Sequence, residues 1–334
     1  MPVTLTEAKN NAQDDIDVAV IDEFRKESAI LDSLTFADVV NPADGGDTLT
    51  YGYRRLITQP TASFRPINTE YTASEVQTQR YTVDLKVMGG AFRVDRVVAR
   101  VGPAASGAVT LNMTQKIKAT RTQFQDTVIN GDTAVDVDGF DGLDKALTGT
   151  ATEFRAGAVT DWSDFDASAR AEHKALDAID EWLSLLDGSP TIILGNKRAL
   201  ARVRAAARRA GMYTQNPLDG LLGPNGRPIV REQYGDIVFA DPGDKAGSNT
   251  AIIPVENRTV GGAAATGLTD LYAYRVGLDG FFGVACMGGT VVRQWLPDFT
   301  SPGAVKFGEV ELGPVAVALK STKAATVFRN IKVG

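Results

Sequence analysis

Few side chains in this sequence combine the type and the spacing that chemistry needs. His173 is the only histidine and Cys286 the only cysteine. A histidine base needs a nucleophile to deprotonate, and no G-x-S-x-G elbow supplies a serine. A metal site would need further histidine or cysteine ligands. His173 falls in a helical pattern among Arg170, Glu172 and Lys174, and reads as a surface residue. Cys286, in a Gly/Val/Ala-rich strand context, reads as a small buried hydrophobe. The acids Asp132, Asp136, Asp138, Asp141 and Asp144 invite comparison with a calcium loop. A loop starting at Asp136 meets Phe140 where its third acid belongs and Leu147 where its closing glutamate belongs. These acids therefore read as turn residues. Glycine-rich phosphate loops are absent, and the N-x-[ST] triplets at Asn112 and Asn257 read as chance matches. The sequence predicts no catalytic, cofactor-binding or metal-ligating residue, and a protein that is not an enzyme.

Charge is more informative. Lys197, Arg198, Arg202, Arg204, Arg208 and Arg209 recur at helical spacing with no acid among them. Such a basic stripe suits nucleic acid or an acidic protein partner. It contains no aromatic residue on which a base could stack, which argues against single-strand or sequence-specific binding. The net charge of −6 is concentrated at the other end of the chain. Residues 1–40 carry nine acids against Lys9, Arg25 and Lys26, which is the whole excess. Ile16, Val20, Ile21, Phe24 and Ile30 give this acidic stretch a helical apolar face. It can dock on a basic surface or pack on its own domain.

The elements that must position these groups begin with a long polar arm. Leu49, Tyr51 and Tyr53 alternate with polar residues, as do Tyr81, Val83, Leu85 and Val87. Both runs have the two-residue period of half-buried strands. A second strand from Thr78 to Met88 would extend roughly 36 Å. Between the runs, Thr58 to Gln77 is polar and broken by Pro60 and Pro66. Connections of this length are uncommon inside a compact domain unless they are functional. Two strands alone are barely stable, so the hairpin needs another surface. A neighbouring copy of the chain is the expected surface; a hairpin resting on its own domain with a loose tip is the alternative.

After Gly89-Gly90, Ala91 to Arg100 reads as a further strand. A long helix over about 106–130 follows, capped by Ser106 or Thr110 and stopped by Gly131. Its apolar positions are Val109, Met113, Ile117, Phe124 and Val128, while Lys116, Lys118 and Arg121 make one face basic. A second helix is predicted from about Asp164 to Leu186, then a short buried strand Thr191 to Leu194. Asn196 is placed to cap the basic helix, which ends near Gly211. Strands are expected at Ile229-Val230 and Ile237 to Ala240, and through 251–295 and 305–333, with glycine turns at Gly261-Gly262 and Gly288-Gly289. Segregated helices and strands make the fold class α+β.

A chain of 334 residues suggests about two domains. At 43% hydrophobic and 23% charged, its composition is that of a soluble globular protein. No apolar run approaches the ~20 residues that span a bilayer. The start MPVTLTEAKN lacks the features of a secretory signal. With one cysteine, no intrachain disulfide forms, and a reducing cytoplasm is the expected compartment.

The order of parts carries a resemblance. An acidic N-terminal helix precedes a polar-tipped hairpin, the strand GGAFRVDR, a long helix ending VINGD, and FDGLDKAL. The helix–strand–helix ALDAIDEWLSLLDGSPTIILGNKRALARVR and a strand-rich C-terminal part follow. This resembles the major capsid proteins of tailed bacteriophages with the Hong Kong 97 fold. The resemblance implies an N-terminal arm (1–40), an E-loop hairpin (41–90), a peripheral domain (91–150 and 288–334) with its spine helix, and an axial domain (151–287). It further implies a structural subunit that self-assembles, as hexamers and pentamers, into an icosahedral shell around double-stranded phage DNA. The expected place is the virion capsid, assembled in the bacterial host cytoplasm, with no membrane partner. Portal and cement proteins are implied partners, and DNA would be contacted non-specifically. Many relatives carry a long N-terminal scaffolding extension; here the spine helix comes too early for one, so a separate scaffolding protein is expected. Met1-Pro2 leads to the expectation of an unprocessed start. The family's covalent cross-linking joins an E-loop lysine to a neighbouring asparagine, but no lysine lies between Lys26 and Lys86, so an uncross-linked shell is expected. An encapsulin-type compartment is the alternative within the fold. An α+β enzyme or nucleic-acid-binding module is the alternative outside it.

Overall fold

The computed structural model describes residues 29–38, 49–100, 108–211, 215–222, 228–234, 237–286 and 292–334. Its architecture is α+β, with two mixed sheets and a projecting two-stranded hairpin.

The central strand of the five-stranded sheet is Val305–Leu319. One edge pairs antiparallel with Phe281–Ala285 and then with Val292–Trp295; the other edge pairs antiparallel with Lys86–Asp95. Phe36–Asp38 adds a parallel strand beside Phe281–Ala285. Burial alternates along Val305 to Val310, so one face is packed and the other solvated. The long helix Ala108–Asn130 covers the packed face. Its Met113 joins Phe92, Val94 and Val310, while Phe124, Val128 and Ile129 enter the largest core. Gly131 ends the helix where a Cβ would stand 2.2 Å from the Phe140 carbonyl oxygen.

The nine-stranded sheet runs through Ala325–Lys332, Ala263–Tyr274, Ile192–Gly195 and Ile237–Ala240 at its centre. Helices Ala171–Leu183 and Lys197–Arg209 pack on it through Ile179, Trp182, Leu200 and Val203. Phe328 sits among Phe154, Trp162 and Trp182, with ring centroids 4.9, 5.5 and 5.9 Å away. Asn196 caps the second of these helices, its side chain accepting from the Arg198 N–H at 3.0 Å.

Several boundaries differ from those the sequence suggests. The run from Thr78 to Met88 is not one strand. Gln77–Asp84 pairs with Thr50–Thr58, the chain pivots at buried Leu85, and Lys86–Asp95 joins the five-stranded sheet. The apolar alternation of the sequence runs on from Leu85 to Val87, but burial changes phase at the pivot, so that Val87 is exposed and Met88 packs inward. Gly89-Gly90 therefore lies inside a strand rather than before one, and a Cβ at Gly89 would meet the Val310 carbonyl oxygen at 2.5 Å. Val98–Arg100 is a short 3-10 turn and not strand. The helix expected from Asp164 begins at Ala171, because the Asp164 carboxylate accepts from the Asp166 N–H in a competing turn. The division expected at 287/288 is crossed both ways. Phe281–Ala285 belongs to the five-stranded sheet and Ala325–Lys332 to the nine-stranded one. Pairing over long sequence distance decides sheet membership, and proximity along the chain does not reveal it. Of the acidic N-terminal arm, Ile16, Val20, Ile21 and Phe24 lie outside the described residues, as do Ser106 and Gly288-Gly289. Ile30, in helix Ala29–Ser33, is fully buried and donates its N–H to Gln125 Oε1 at 3.0 Å.

Candidate assembly surface

The hairpin has two faces with different duties. On the inner face Tyr53 stands opposite Tyr81 and Tyr51 opposite Val83. Tyr51 meets Phe282 edge-on at 5.8 Å, and the Tyr53 hydroxyl donates to the Leu319 carbonyl at 3.0 Å. Arg55 stacks over the Tyr81 ring at 4.4 Å and donates through Nε to the Lys320 carbonyl at 2.9 Å. Burial raises the Tyr53 pKa, with the Arg55 charge opposing. The base is thus clamped to its own subunit. The tip is not. Residues 59–76 are exposed throughout, including Phe64, Ile67, Tyr71 and Val76. Among the described residues only local contacts shape this tip, such as the Thr61 N–H to Ser74 Oγ at 3.0 Å, Arg65 to the Thr69 carbonyl at 2.8 Å, and Arg65 over the Tyr71 ring.

A second uncovered surface is the outer face of the five-stranded sheet. Trp295, Phe307, Val305 and Val87 are exposed there, interspersed with Arg93, Glu309 and Arg293. Arg93 lies 4.7 Å from the Phe307 ring. Together the tip and this face hold eight of the eighteen exposed large apolar side chains among the described residues, gathered in two places rather than scattered singly.

The basic stripe forms a helix as its spacing requires. Ala199, Leu200, Val203 and Ala206 face inward; Lys197, Arg198, Arg204, Arg208 and Arg209 are exposed and Arg202 is half-buried. Arg209 is spent on a two-pronged pair with Asp166, at 2.6 and 3.1 Å.

His173 lies half-exposed on helix Ala171–Leu183, 3.9 Å from Glu172, and is brought together with no nucleophile. Cys286 is partly rather than fully buried, packed against the largest core. The acidic turn holds a lysine. Lys145 Nζ donates to Asp132 at 2.6 Å and to Asp141 at 2.9 Å. The Lys145 hydrogen bond holds Asp132 below the usual carboxylate range. At Asp141 burial pushes upward, but bonds from Lys145 and Thr133 outweigh it and the pKa is lowered. Asp136 caps the Asp138 N–H. Among the described residues no group of three or more acids, histidines or cysteines is arranged to hold a metal.

Sequence reasoning missed a buried charge cluster. Asp270, almost fully buried, accepts twice from Arg258 at 2.7 and 2.8 Å and from the Asn330 N–H at 2.9 Å. Beside it Arg329 reaches Glu153 and Asp144, and the Tyr272 hydroxyl donates to Asp144 at 2.8 Å. Burial raises the Tyr272 pKa strongly, so this hydroxyl stays protonated. The partners are too distant in sequence for any local pattern to announce them. The cluster pairs cations with carboxylates drawn from distant parts of the chain and so ties those segments together.

An N-terminal segment, a clamped hairpin with a bare tip, a long helix on a strand-rich layer and a second α/β layer define the Hong Kong 97 fold of tailed-phage capsid proteins, and this chain has that fold. No protein-family model and no curated protein matches it in sequence. Among solved structures it is similar to the holo-SrpI encapsulin complex of Synechococcus elongatus PCC 7942, at 15% identity over 100% of this chain and 97% of that one, TM-score 0.61. Mycobacterium phage Bobi matches at 14% identity over 99% and 98%, TM-score 0.55. The capsid of Myoviridae phage XM1 matches at 11% identity over 95% and 96%, TM-score 0.54.

Proposed function

We propose that this chain is the major structural subunit of a tailed-phage capsid, self-assembling into an icosahedral shell around double-stranded DNA. The observation that supports this most is the hairpin tip, where Phe64 is fully exposed and Ile67 is 91% exposed. Apolar side chains held so far from their own core need a cover, and a neighbouring copy supplies one at every position of a closed shell. On this reading residues 1–40 form an arm, 41–90 the E-loop, 91–150 and 288–334 most of the peripheral domain, and 151–287 most of the axial domain, with the strands Phe281–Ala285 and Ala325–Lys332 exchanged between the two. The subunit is structural and not enzymatic. A separate scaffolding protein, a portal and a cement protein are its partners, and assembly takes place in the host cytoplasm. The basic helix suits DNA or an acidic protein surface. Light scattering and negative-stain microscopy of the purified chain test the reading: megadalton closed particles are expected, and a stable small oligomer would overturn it.

An encapsulin-type compartment is the second reading, favoured by the higher TM-score of 0.61 to the Synechococcus elongatus encapsulin. The contents of particles from the native source separate the two. Long DNA supports the capsid, and a single co-purifying enzyme supports the compartment.

A further inference from the structure

The outer face of the hairpin carries a pairing that its own subunit leaves uncompensated. Arg54 and Arg80 stand directly opposite each other in the ladder, and both are exposed. Like charges so placed destabilise a strand pair. Neither makes an ion pair among the described residues. The bare backbone of Gly52 lies beside the Arg80 guanidinium, 3.2 Å from where a Cβ would be. Leu56, on the same face, is 55% exposed. The inner face is clamped to Leu319 and Lys320, so Arg54 and Arg80 point away from their own subunit.

The complement lies on the outer face of the five-stranded sheet. Glu309 and Glu311 occupy alternate positions of one strand and so share a face. Trp295 is opposite Glu309, Arg293 is opposite Glu311, and Phe307 is the next residue on that face. Neither glutamate makes an ion pair among the described residues, Arg293 included. Successive same-face residues on a strand are about 6.6 Å apart and opposite residues about 5 Å, a mismatch that long side chains absorb.

We propose that Arg54 and Arg80 of one copy pair with Glu309 and Glu311 of a second copy, with Leu56 seated beside Trp295 and Phe307. This rests on the shell reading and names the surface that receives the hairpin. Two glutamates at alternate positions of one strand, beside Trp295 and Phe307, match the opposed Arg54 and Arg80 with Leu56 beside them; the acidic residues 1–28 are the rival partner in the test. Individual exposed pairs are weak, but every subunit of a shell repeats them, so their loss is read in assembly and not in folding.

The test uses charge reversal in the full chain, with particle yield read by light scattering and folding by circular dichroism. R54E/R80E and E309R/E311R should each lower particle yield about tenfold or more, the equivalent of ~1.4 kcal/mol. The fourfold variant carrying both reversals should restore it. Neutral variants guard against misfolding: R54Q/R80Q and E309Q/E311Q should each weaken assembly, and their combination should do no more harm than either. A reversal that assembles like wild type, a folded fourfold variant that stays dispersed, or additive losses in the neutral set would each overturn the pairing. If only the arginine variants lose assembly, the acidic residues 1–28 are the partner and the proposal fails. Wild type measured alone separates the two levels. Without megadalton particles the shell reading falls and takes the pairing with it; wild-type particles with indifferent variants sink the pairing only.

Discussion

Arg329 donates its Nε to Glu153 Oε1 at 2.9 Å while its Nη1 bonds Asp144, so one guanidinium ties the last strand to the short helix Leu143–Leu147 and to the short strand Glu153–Phe154. Asp270 lies 3.4 Å from the same group. Arg329 and Glu153 side chains are each 12% exposed and Asp270 only 3%, so water cannot take over the cation's role. Arg329→Met should therefore cost about 3 kcal/mol, the low end for breaking a buried pair, because Glu153 is left as a buried charge while Asp270 keeps Arg258 and Asp144 is 42% exposed. Arg329→Lys should cost less, keeping the charge but losing the fork. Denaturant unfolding measures both. A loss under about 1 kcal/mol for Arg329→Met would show that the cluster is surface-like in effect.

The hairpin tip should be dispensable for folding and indispensable for assembly. Residues 59–76 touch no core, whereas Tyr51, Tyr53 and Val83 at the base pack against it. Replacing Thr61 to Val76 by a short Gly-Ser linker should leave circular dichroism and solubility unchanged while closed particles disappear. Normal particles, or an unfolded chain, would contradict this division.

Acid should weaken the turn that follows the long helix. Asp132 and Asp141 both titrate below the ordinary value of 3.8, Asp132 chiefly through its Lys145 hydrogen bond and Asp141 through bonds that outweigh its burial. A carboxylate with a depressed folded pKa stabilises the fold above its unfolded pKa and loses that contribution as pH falls through the folded value. The stability gap between wild type and Lys145→Met should be constant from about pH 7 to 5 and close progressively below about pH 4. Unfolding midpoints across that range read it directly. A gap that persists unchanged at low pH would mean that Lys145 acts by packing alone.

Local chemistry made part of this legible. Alternation at Tyr51, Tyr53, Tyr81 and Val83 marked the hairpin and its inner face, apolar spacing at Phe124 and Val128 marked the long helix, and Asn196 marked its cap. What could not be read depends on distant partners. The sequence alternation carries on through Leu85 to Val87 although the buried face shifts by one residue there, so nothing local records that the chain changes sheets. Asp144 and Asp270 look like ordinary turn and strand acids until Arg329 arrives. Arg54 and Arg80 meet only because the ladder registers them, and the long tip, unlike a two-residue turn, does not fix that register from sequence.

The assembled shell should be free of covalent links through the hairpin. Cross-linking there needs an unprotonated amine to attack a side-chain amide on the next subunit, with a carboxylate taking up the proton. The hairpin's basic residues are Arg54, Arg55, Arg65 and Arg80, and no lysine occurs between Lys26 and Lys86. Arginine stays protonated at any relevant pH and cannot replace the amine. Lys86 lies at the foot of the hairpin, past the Leu85 pivot, where its Nζ donates to the Val137 carbonyl at 2.9 Å. That contact holds it against its own subunit, away from the tip. On the proposed reading, cohesion comes from the apolar tip, the outer sheet face and the proposed charge pairs, multiplied over many copies. Denaturing electrophoresis of mature particles under reducing conditions should give one band near 35.5 kDa. A ladder of heat-resistant multimers, with peptide mapping placing the bond on Lys86, would show that the amine reaches its target after all.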